Sequence, residues 1–325
     1  MAGTIVVEPP NMEKRAFRFW VEPLGSLDTG VKKTAAFIRL ARPHQYIKNG
    51  FILLPLFFGD RLFNGQAVVA SLLSLCAFSL LASAVYAIND FLDRDHDRCH
   101  PHKKTRPLAS AALTGAEALV MSMVLLATAA AVSLCLLPME VTGFMALYLL
   151  LNLAYSWKLK QYAIIDICCI ATGFVLRIAV GAAAAAVAVS QWIVIMTFLL
   201  ALFLGLAKRR DDLLQASGDK GNYRESLDGY SLQFVSYAMA IMASVIIVAY
   251  VQYTTSAAVI ARHGTASLYI SGLWVVLGLL KYLQIVFVLR QGGPPTRVLL
   301  KSRALQAIVA AWLVHLFLIL YAGVG

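Results

Sequence analysis

Nine apolar runs, each near the length that crosses a bilayer, recur along this chain. They lie at about 37–58, 67–92, 112–136, 139–156, 162–186, 191–207, 230–254, 267–289 and 303–323. A helix needs roughly 20 such residues to span the hydrocarbon core. In lipid every backbone polar group must be satisfied by the protein, and a helix does this within itself. The runs therefore predict an all-α polytopic membrane protein with nine transmembrane helices. Of the 325 residues, 60% are hydrophobic and only 14% charged, which excludes an ordinary soluble domain. The first run differs from the others: Pro43 and Pro55 bracket it, and its early part is polar.

The basic residues set an expected orientation. Residues 1–50 hold eight Lys or Arg, 93–111 five, 156–161 two, 208–229 five and 290–303 four. The alternate connections hold only Arg61 and Arg262, and Arg177 and Lys281 fall inside predicted spans. The positive-inside rule makes the rich side cytoplasmic, in a cell (inner or plasma) membrane. The formal net charge of +11 then reflects topology and anionic lipid, not nucleic acid. Residues 1–34 are expected to form a cytoplasmic tail before a membrane domain at 35–325, and no cleavable signal is visible in them. None of the five cysteines forms a CxxC pair or a His/Cys ligand set, so no zinc site is expected. The sequence leaves a homo-oligomer open.

One segment concentrates the chemistry. Asn89, Asp90, Asp93 and Asp97 fall at the rich end of the second run, with Arg98, Lys103, Lys104 and Arg106 close behind. On a helix Asn89, Asp93 and Asp97 lie at i, i+4 and i+8, while Asp90 joins Asp93 and Asp97 at i, i+3 and i+7. One helix face would thus present two or three carboxylates and an amide. Acids at such a place mark functional sites more often than solvated helix ends. Hard oxygens suit Mg²⁺, and cations beside them suit a metal that carries phosphate. His100 and His102 lack a third soft ligand and are read as phosphate contacts or plain exposure.

Asn89-Asp-x-x-Asp93-x-x-x-Asp97, followed by Lys103-x-x-Arg106-Pro107, resembles the first signature of the UbiA-type intramembrane prenyltransferase superfamily. The resemblance covers residues 35 to 323. It implies nine helices around a central cavity with a cytoplasmic cap, and a Mg²⁺–diphosphate site at Asn89, Asp93 and Asp97. Three more matches narrow the branch: Arg42-Pro-His-Gln-Tyr-Ile-Lys48-Asn49; Tyr155-Ser-x-x-Leu-Lys160 before Asp166 and Gly173-Phe-Val-Leu-Arg177; and Lys208-Arg209-Arg210-Asp211-Asp212 before Ser226-Leu-x-Gly-Tyr230. Together they resemble the decaprenyl-phosphate phosphoribosyltransferase branch. That likeness implies transfer of 5-phosphoribose from phosphoribosyl diphosphate (PRPP) to a polyprenyl phosphate, feeding arabinan precursor synthesis for the cell wall.

A departure from the wider superfamily supports that branch. Typical prenyltransferases carry a second Asp-x-x-x-Asp after span six, whereas here Asp211 has Gln215 and Asp212 has Ala216 four residues on. Adjacent aspartates point about 100° apart on a helix and clamp one metal poorly. The Lys208-Arg209-Arg210 run favours phosphate instead. Candidate phosphate contacts are therefore Arg98, Lys103, Lys104, Arg106, Lys208, Arg209 and Arg210, with Tyr155, Lys160 and Asp166 at the mouth. Arg42 and Lys48 can hold the lipid phosphate. Arg177, roughly 16 Å deeper than Asp166 at ~1.5 Å per residue, either touches ligand or bonds backbone carbonyls. Two rivals remain. A prenyl diphosphate-dependent prenyltransferase acting on an aromatic or other acceptor would need the second aspartate pair. A transporter would need polar groups reachable from both sides.

Overall fold

A computed structural model describes residues 29–99, 103–216 and 225–322. Among them all regular structure is helical. Eight helices are long and apolar enough to cross a membrane, and the chain is a multi-pass membrane protein. They are α3 (Gly65–Leu92), α5 (Gly115–Leu136), α6 (Met139–Trp157), α7 (Ile165–Ala184), α8 (Gln191–Ala216), α9 (Leu232–Thr255), the stretch Ser267–Val288 containing α11 (Gly272–Leu283), and α13 (Arg303–Tyr321). Short helices α4 (Arg94–Cys99), α10 (Ala257–His263) and α12 (Pro295–Lys301) lie between them.

The expected first of nine spans is not among these eight helices of the described residues. Residues 37–58 do not form one continuous helix. They run through the end of α1 (Thr29–Ala41), a 3-10 segment (Pro43–Leu53) and the short α2 (Leu54–Phe58). Prolines remove amide donors at both joints, and Arg42 takes a left-handed conformation (φ 54°) between α1 and the 3-10 segment. Irregular backbone at membrane depth is tolerated where protein surrounds it, and that is its setting here. Asn49 donates to Ser79 Oγ at 2.9 Å, and Tyr46 meets Ser83 Oγ at 2.8 Å, both on α3. On the other side, a Cβ at Gly181 of α7 would lie 1.9 Å from the Ile52 carbonyl oxygen, so only glycine allows this crossing. Of the tail expected at 1–34, residues 1–28 lie outside the described residues and 29–34 belong to α1.

Start signals are local. Thr114 and Glu117 form a reciprocal capping box on α5 (Glu117 N–H to Thr114 Oγ1 3.2 Å; Thr114 N–H to Glu117 Oε2 2.9 Å). Asn64, Ser231 and Ser302 cap α3, α9 and α13. The packing has two main cores. Ile52, Phe78, Leu81, Met145, Tyr148 and Leu176 join α3, α6 and α7 around the 3-10 segment. Ile167, Phe203, Met239, Ile246, Leu279 and Leu305 join α8, α9, α11 and α13. Helix α7 contributes to both. Helices α3 and α7 are buried over more than half of their apolar windows, α5 and α13 over less than a fifth. The central pair therefore carries the polar side chains, and the outer helices present Val120, Met123, Val124 and Val314 to lipid.

Candidate active site

Helix α3 ends at Leu92, but the chain barely leaves helical geometry. Asp93 N–H bonds the Asn89 carbonyl (2.9 Å), and Asp97 N–H bonds the Asp93 carbonyl as α4 begins (2.8 Å). The acid face survives and divides in two. On one side Asn89 Nδ2 donates to Asp93 Oδ2 (3.3 Å), and Ser156 at the end of α6 donates to Asn89 Oδ1 (3.0 Å). Lys160 forms an ion pair with Asp93. On the other side Arg106 Nη1 bridges Asp90 Oδ1 (2.9 Å) and Asp97 Oδ2 (2.6 Å). Arg42 also donates to Asp90 (2.5 Å), and Lys103 lies 3.8 Å from Asp97. Asp90 and Asp97 are buried, whereas Asp93 keeps some exposure.

The loop that delivers Arg106 is built for the purpose. Arg106 N–H and Ser110 N–H close successive turns on the Lys103 and Arg106 carbonyls (both 2.9 Å). Leu108 and Leu113 anchor it in a small core with Leu40 and Ala87, and Arg39 ties it to α1 through the Thr105 carbonyl (2.7 Å). Lys104 is exposed, and Arg98 pairs with exposed Asp95 (3.1 Å), so neither is brought to the acids. His100 and His102 lie outside the described residues.

Among the described residues no three His, Cys, Asp or Glu side chains form a self-sufficient metal cage. Mg²⁺ does not require one, because it takes one or two carboxylates and fills its shell with water and substrate phosphate. Asn89, Asp93 and Asp97 supply hard oxygens only, and Asn89 and Asp93 are already in contact. Each carboxylate also stands against a cation. The donor set fits a divalent cation carrying a phosphorylated ligand.

Deeper in the bundle Arg177 is enclosed. Its Nε donates to Asn49 Oδ1 (2.9 Å), Nη1 to the Gly173 carbonyl (2.8 Å) and Nη2 to Tyr148 (3.1 Å). The rings of Phe78, Tyr148 and Phe174 surround it at 5.0–5.1 Å. Asp166, at the start of α7, is fully buried and accepts from Arg209 Nε (2.7 Å), Tyr230 (2.7 Å) and Ser226 (3.3 Å). Arg209 also bonds Asp212 (2.6 Å), while its Nη2 is buried with no protein acceptor among the described residues. Arg210 turns away, donating to the Val286 carbonyl (3.2 Å) and covering the Phe287 ring at 4.4 Å. Lys208 is half-buried beside them, and Tyr155 lies within electrostatic reach of Arg209. Asp211 accepts from Gln215 (2.8 Å), the residue that stands where a second carboxylate would be.

A model of the UbiA prenyltransferase family matches residues 52–301. The chain belongs to this family. Among curated UbiA-like relatives, decaprenyl-phosphate phosphoribosyltransferase of Mycolicibacterium smegmatis is 30% identical over 296 residues, 86% of this chain and 90% of its own. The protein of the same name from Corynebacterium glutamicum is 28% identical over 295 residues, 87% and 86% of the two chains. Among solved structures, a UbiA homolog from Archaeoglobus fulgidus bound to GPP and Mg²⁺ superposes with a TM-score of 0.64 at 18% identity, over 88% of this chain and 99% of that one. The UbiA fold is thus shared at low identity.

Within this UbiA scaffold four residues escaped the sequence reading as functional. Ser156 orients the Asn89 amide, and Tyr230, Ser226 and Asp212 hold the Asp166–Arg209 pair. Tyr230 also accepts the N–H of Ile164 (2.6 Å), a β-branched residue at φ 69°, a strained conformation for such a side chain. Burial, and then the hydrogen bond to Asp166, push the Tyr230 hydroxyl well above the usual tyrosine range, so it remains a donor. Ser156 and Tyr230 both lie inside motifs quoted from the sequence. Their partners 67 and 64 residues away do not.

Proposed function

We propose that this protein transfers 5-phosphoribose from PRPP to a polyprenyl phosphate and releases diphosphate, at a site facing the cytoplasm, supplying arabinan precursors for the cell wall. The observation that supports this over prenyl transfer is the distribution of charge. Asp90, Asp93 and Asp97 form one acidic cluster held by Arg106 and Lys160, while at the end of α8 Arg209 binds both Asp166 of α7 and Asp212, and Asp211 pairs with Gln215 instead of a second carboxylate. A reaction with two phosphorylated substrates needs cations there more than a second acidic clamp. The names of the curated relatives point the same way.

Asn89, Asp93 and Asp97 would hold the divalent cation, which when bound supplies charge neutralisation to the departing diphosphate. Lys160, Lys103 and Arg106 already stand on the carboxylates, and they are placed to grip diphosphate oxygens. Ser156 donates to the Asn89 Oδ1 and so fixes the amide, whose Nδ2 faces Asp93. In the transfer, the C1–O bond to diphosphate breaks with its electron pair, and a lipid phosphate oxygen bonds C1. The acceptor is already an anion, so no strong base is required, and the side chains act by positioning and by stabilising charge.

Purified protein given PRPP labelled in the ribose and a polyprenyl phosphate should move label into the lipid fraction. Asp93→Ala and Asp97→Ala should each lower that transfer by at least about a hundredfold while the protein stays folded and monodisperse. Consumption of a prenyl diphosphate, with no label in lipid, would overturn the assignment in favour of prenyl transfer.

A further inference from the structure

Lys160 reaches Asp93 from the short connection between α6 and α7, within a three-residue 3-10 segment (Leu159–Gln161). The connection closes on bonds of its own: Gln161 N–H to the Lys158 carbonyl (3.0 Å), Tyr162 N–H to Leu159 (3.3 Å) and Asp166 N–H to Tyr162 (3.0 Å). Its last corner is unusual. Ile164 stands at φ 69°, ψ −49°, and Ile165 N–H bonds the Ala163 carbonyl across it (2.8 Å). This is the strained form of the γ-turn, rare for any residue and rarer for a β-branched one. Such a conformation persists only where the surroundings enforce it. The Ile164 side chain does not do so, because 52% of it is exposed.

Two neighbours enforce it from outside. The Tyr230 hydroxyl accepts the Ile164 N–H (2.6 Å) and donates to Asp166 Oδ1 (2.7 Å), so its donor and an acceptor position are both in use. Gly229 packs so tightly on Ala163 that a Cβ there would lie 2.4 Å from the alanine methyl. The Tyr230 ring is itself buried in the core shared by α8, α9, α11 and α13. Its hydroxyl is therefore fixed from the half of the bundle that does not carry the acids. The connection thus lies between two anchors, Tyr230 at one end and the Lys160–Asp93 pair at the other.

We propose that Tyr230 is a positioning residue for Lys160: its hydroxyl holds the γ-turn at Ile164, and that turn keeps the Lys160 ammonium on Asp93. Without the hydroxyl, the Ile164 N–H loses its acceptor and the corner relaxes to a negative φ. The chain between Lys158 and Ile164 then re-aims, and Lys160 leaves the acid cluster. Tyr230 acts through the backbone and touches no reacting group. The same hydroxyl bonds Asp166, the partner of Arg209. One phenol therefore connects the Arg209 network on α8 to the acid cluster at the end of α3. The consequence for catalysis rests on the phosphoribosyl transfer proposed above, whereas the placement of Lys160 does not.

The test is the rate at which an amine-acylating reagent modifies Lys160 and Lys158 in the full chain in detergent, resolved by fragmentation mass spectrometry. Lys158 is exposed on the same connection and serves as the internal reference. Tyr230→Phe should speed modification of Lys160 about fivefold and leave Lys158 nearly unchanged. Gly229→Ala, which pushes on Ala163 from the same side, should give the same pattern. Ile164→Gly should restore most of the protection in the Tyr230→Phe background, because glycine takes a positive φ without strain. Gly181→Ala, a packing change remote from this connection, should not alter the ratio of the two lysines. No faster modification of Lys160 in Tyr230→Phe would overturn the proposal. So would equal release of Lys158 and Lys160, the same release in Gly181→Ala, or no rescue by Ile164→Gly. No substrate enters the measurement, so failure of the phosphoribosyl reaction and failure of this role are read separately.

Discussion

Arg209 shows what one residue does when its surroundings are fixed by distant partners. As one of three adjacent cations it looks like a solvent-facing phosphate clamp. In the fold it is almost fully buried and bound to Asp166, 43 positions earlier, and to Asp212 one turn on. The pairing was invisible in the sequence because nothing local to either residue encodes the other. The acid cluster was legible for the opposite reason: Asn89, Asp93 and Asp97 are spaced by the helix itself, although the tilt of Asp97 onto Arg106 was not. Replacing Asp166 by Asn should leave a buried guanidinium undercompensated and cost about 3–5 kcal/mol of stability. Tyr230→Phe, which frees the Ile164 N–H and removes one donor to Asp166, should cost about 1–3 kcal/mol. Thermal unfolding in a single detergent would rank the two, and Tyr230→Phe as the more damaging change would contradict the network.

At the level of elements, the eight long spans follow the apolar runs to within a few residues at most ends, because burial in lipid and helix formation demand the same pattern. Two departures are instructive. Helix α8 continues nine residues beyond its apolar run, to Ala216, since charged residues with good helix propensity carry it past the apolar zone. The first segment breaks at its prolines, and α3 and α7 hold it: Ser83 donates to the Ala41 carbonyl (2.8 Å), and the side chains of Tyr46 and Asn49 bond Ser83, Ser79 and Arg177. Its closest approach, Gly181 to Ile52, leaves no room for a methyl group. Gly181→Ala should therefore destabilise the protein by about 1–3 kcal/mol through overpacking. Gly143→Ala, where a Cβ meets nothing within 4 Å, is the matched control and should change unfolding little.

For the whole molecule, the uneven distribution of Lys and Arg predicts which end faces the cytoplasm, and the acid cluster lies at the rich end. Cys99, exposed on α4 beside the acids, and Cys135, exposed near the other end of α5, report on opposite faces. A membrane-impermeant maleimide should label Cys99 in inside-out vesicles and leave it unlabelled in right-side-out ones. The reverse pattern would place the site on the outer face and remove access to a cytosolic donor.

The broken first segment also constrains how the protein is made. Asn49 finds Ser79 30 residues later, but its second partner, Arg177, is 128 residues downstream. At about 5–20 residues per second, synthesis of that stretch takes roughly 6–26 seconds. During that interval the segment has left the ribosome with its polar groups incompletely matched. It must wait at the membrane surface or beside the insertion machinery until α7 arrives. The side of the bundle that carries Lys48 thus stays open until α7 arrives, and a chain stalled before α7 has made 16 of its 28 Lys and Arg residues without a finished interior.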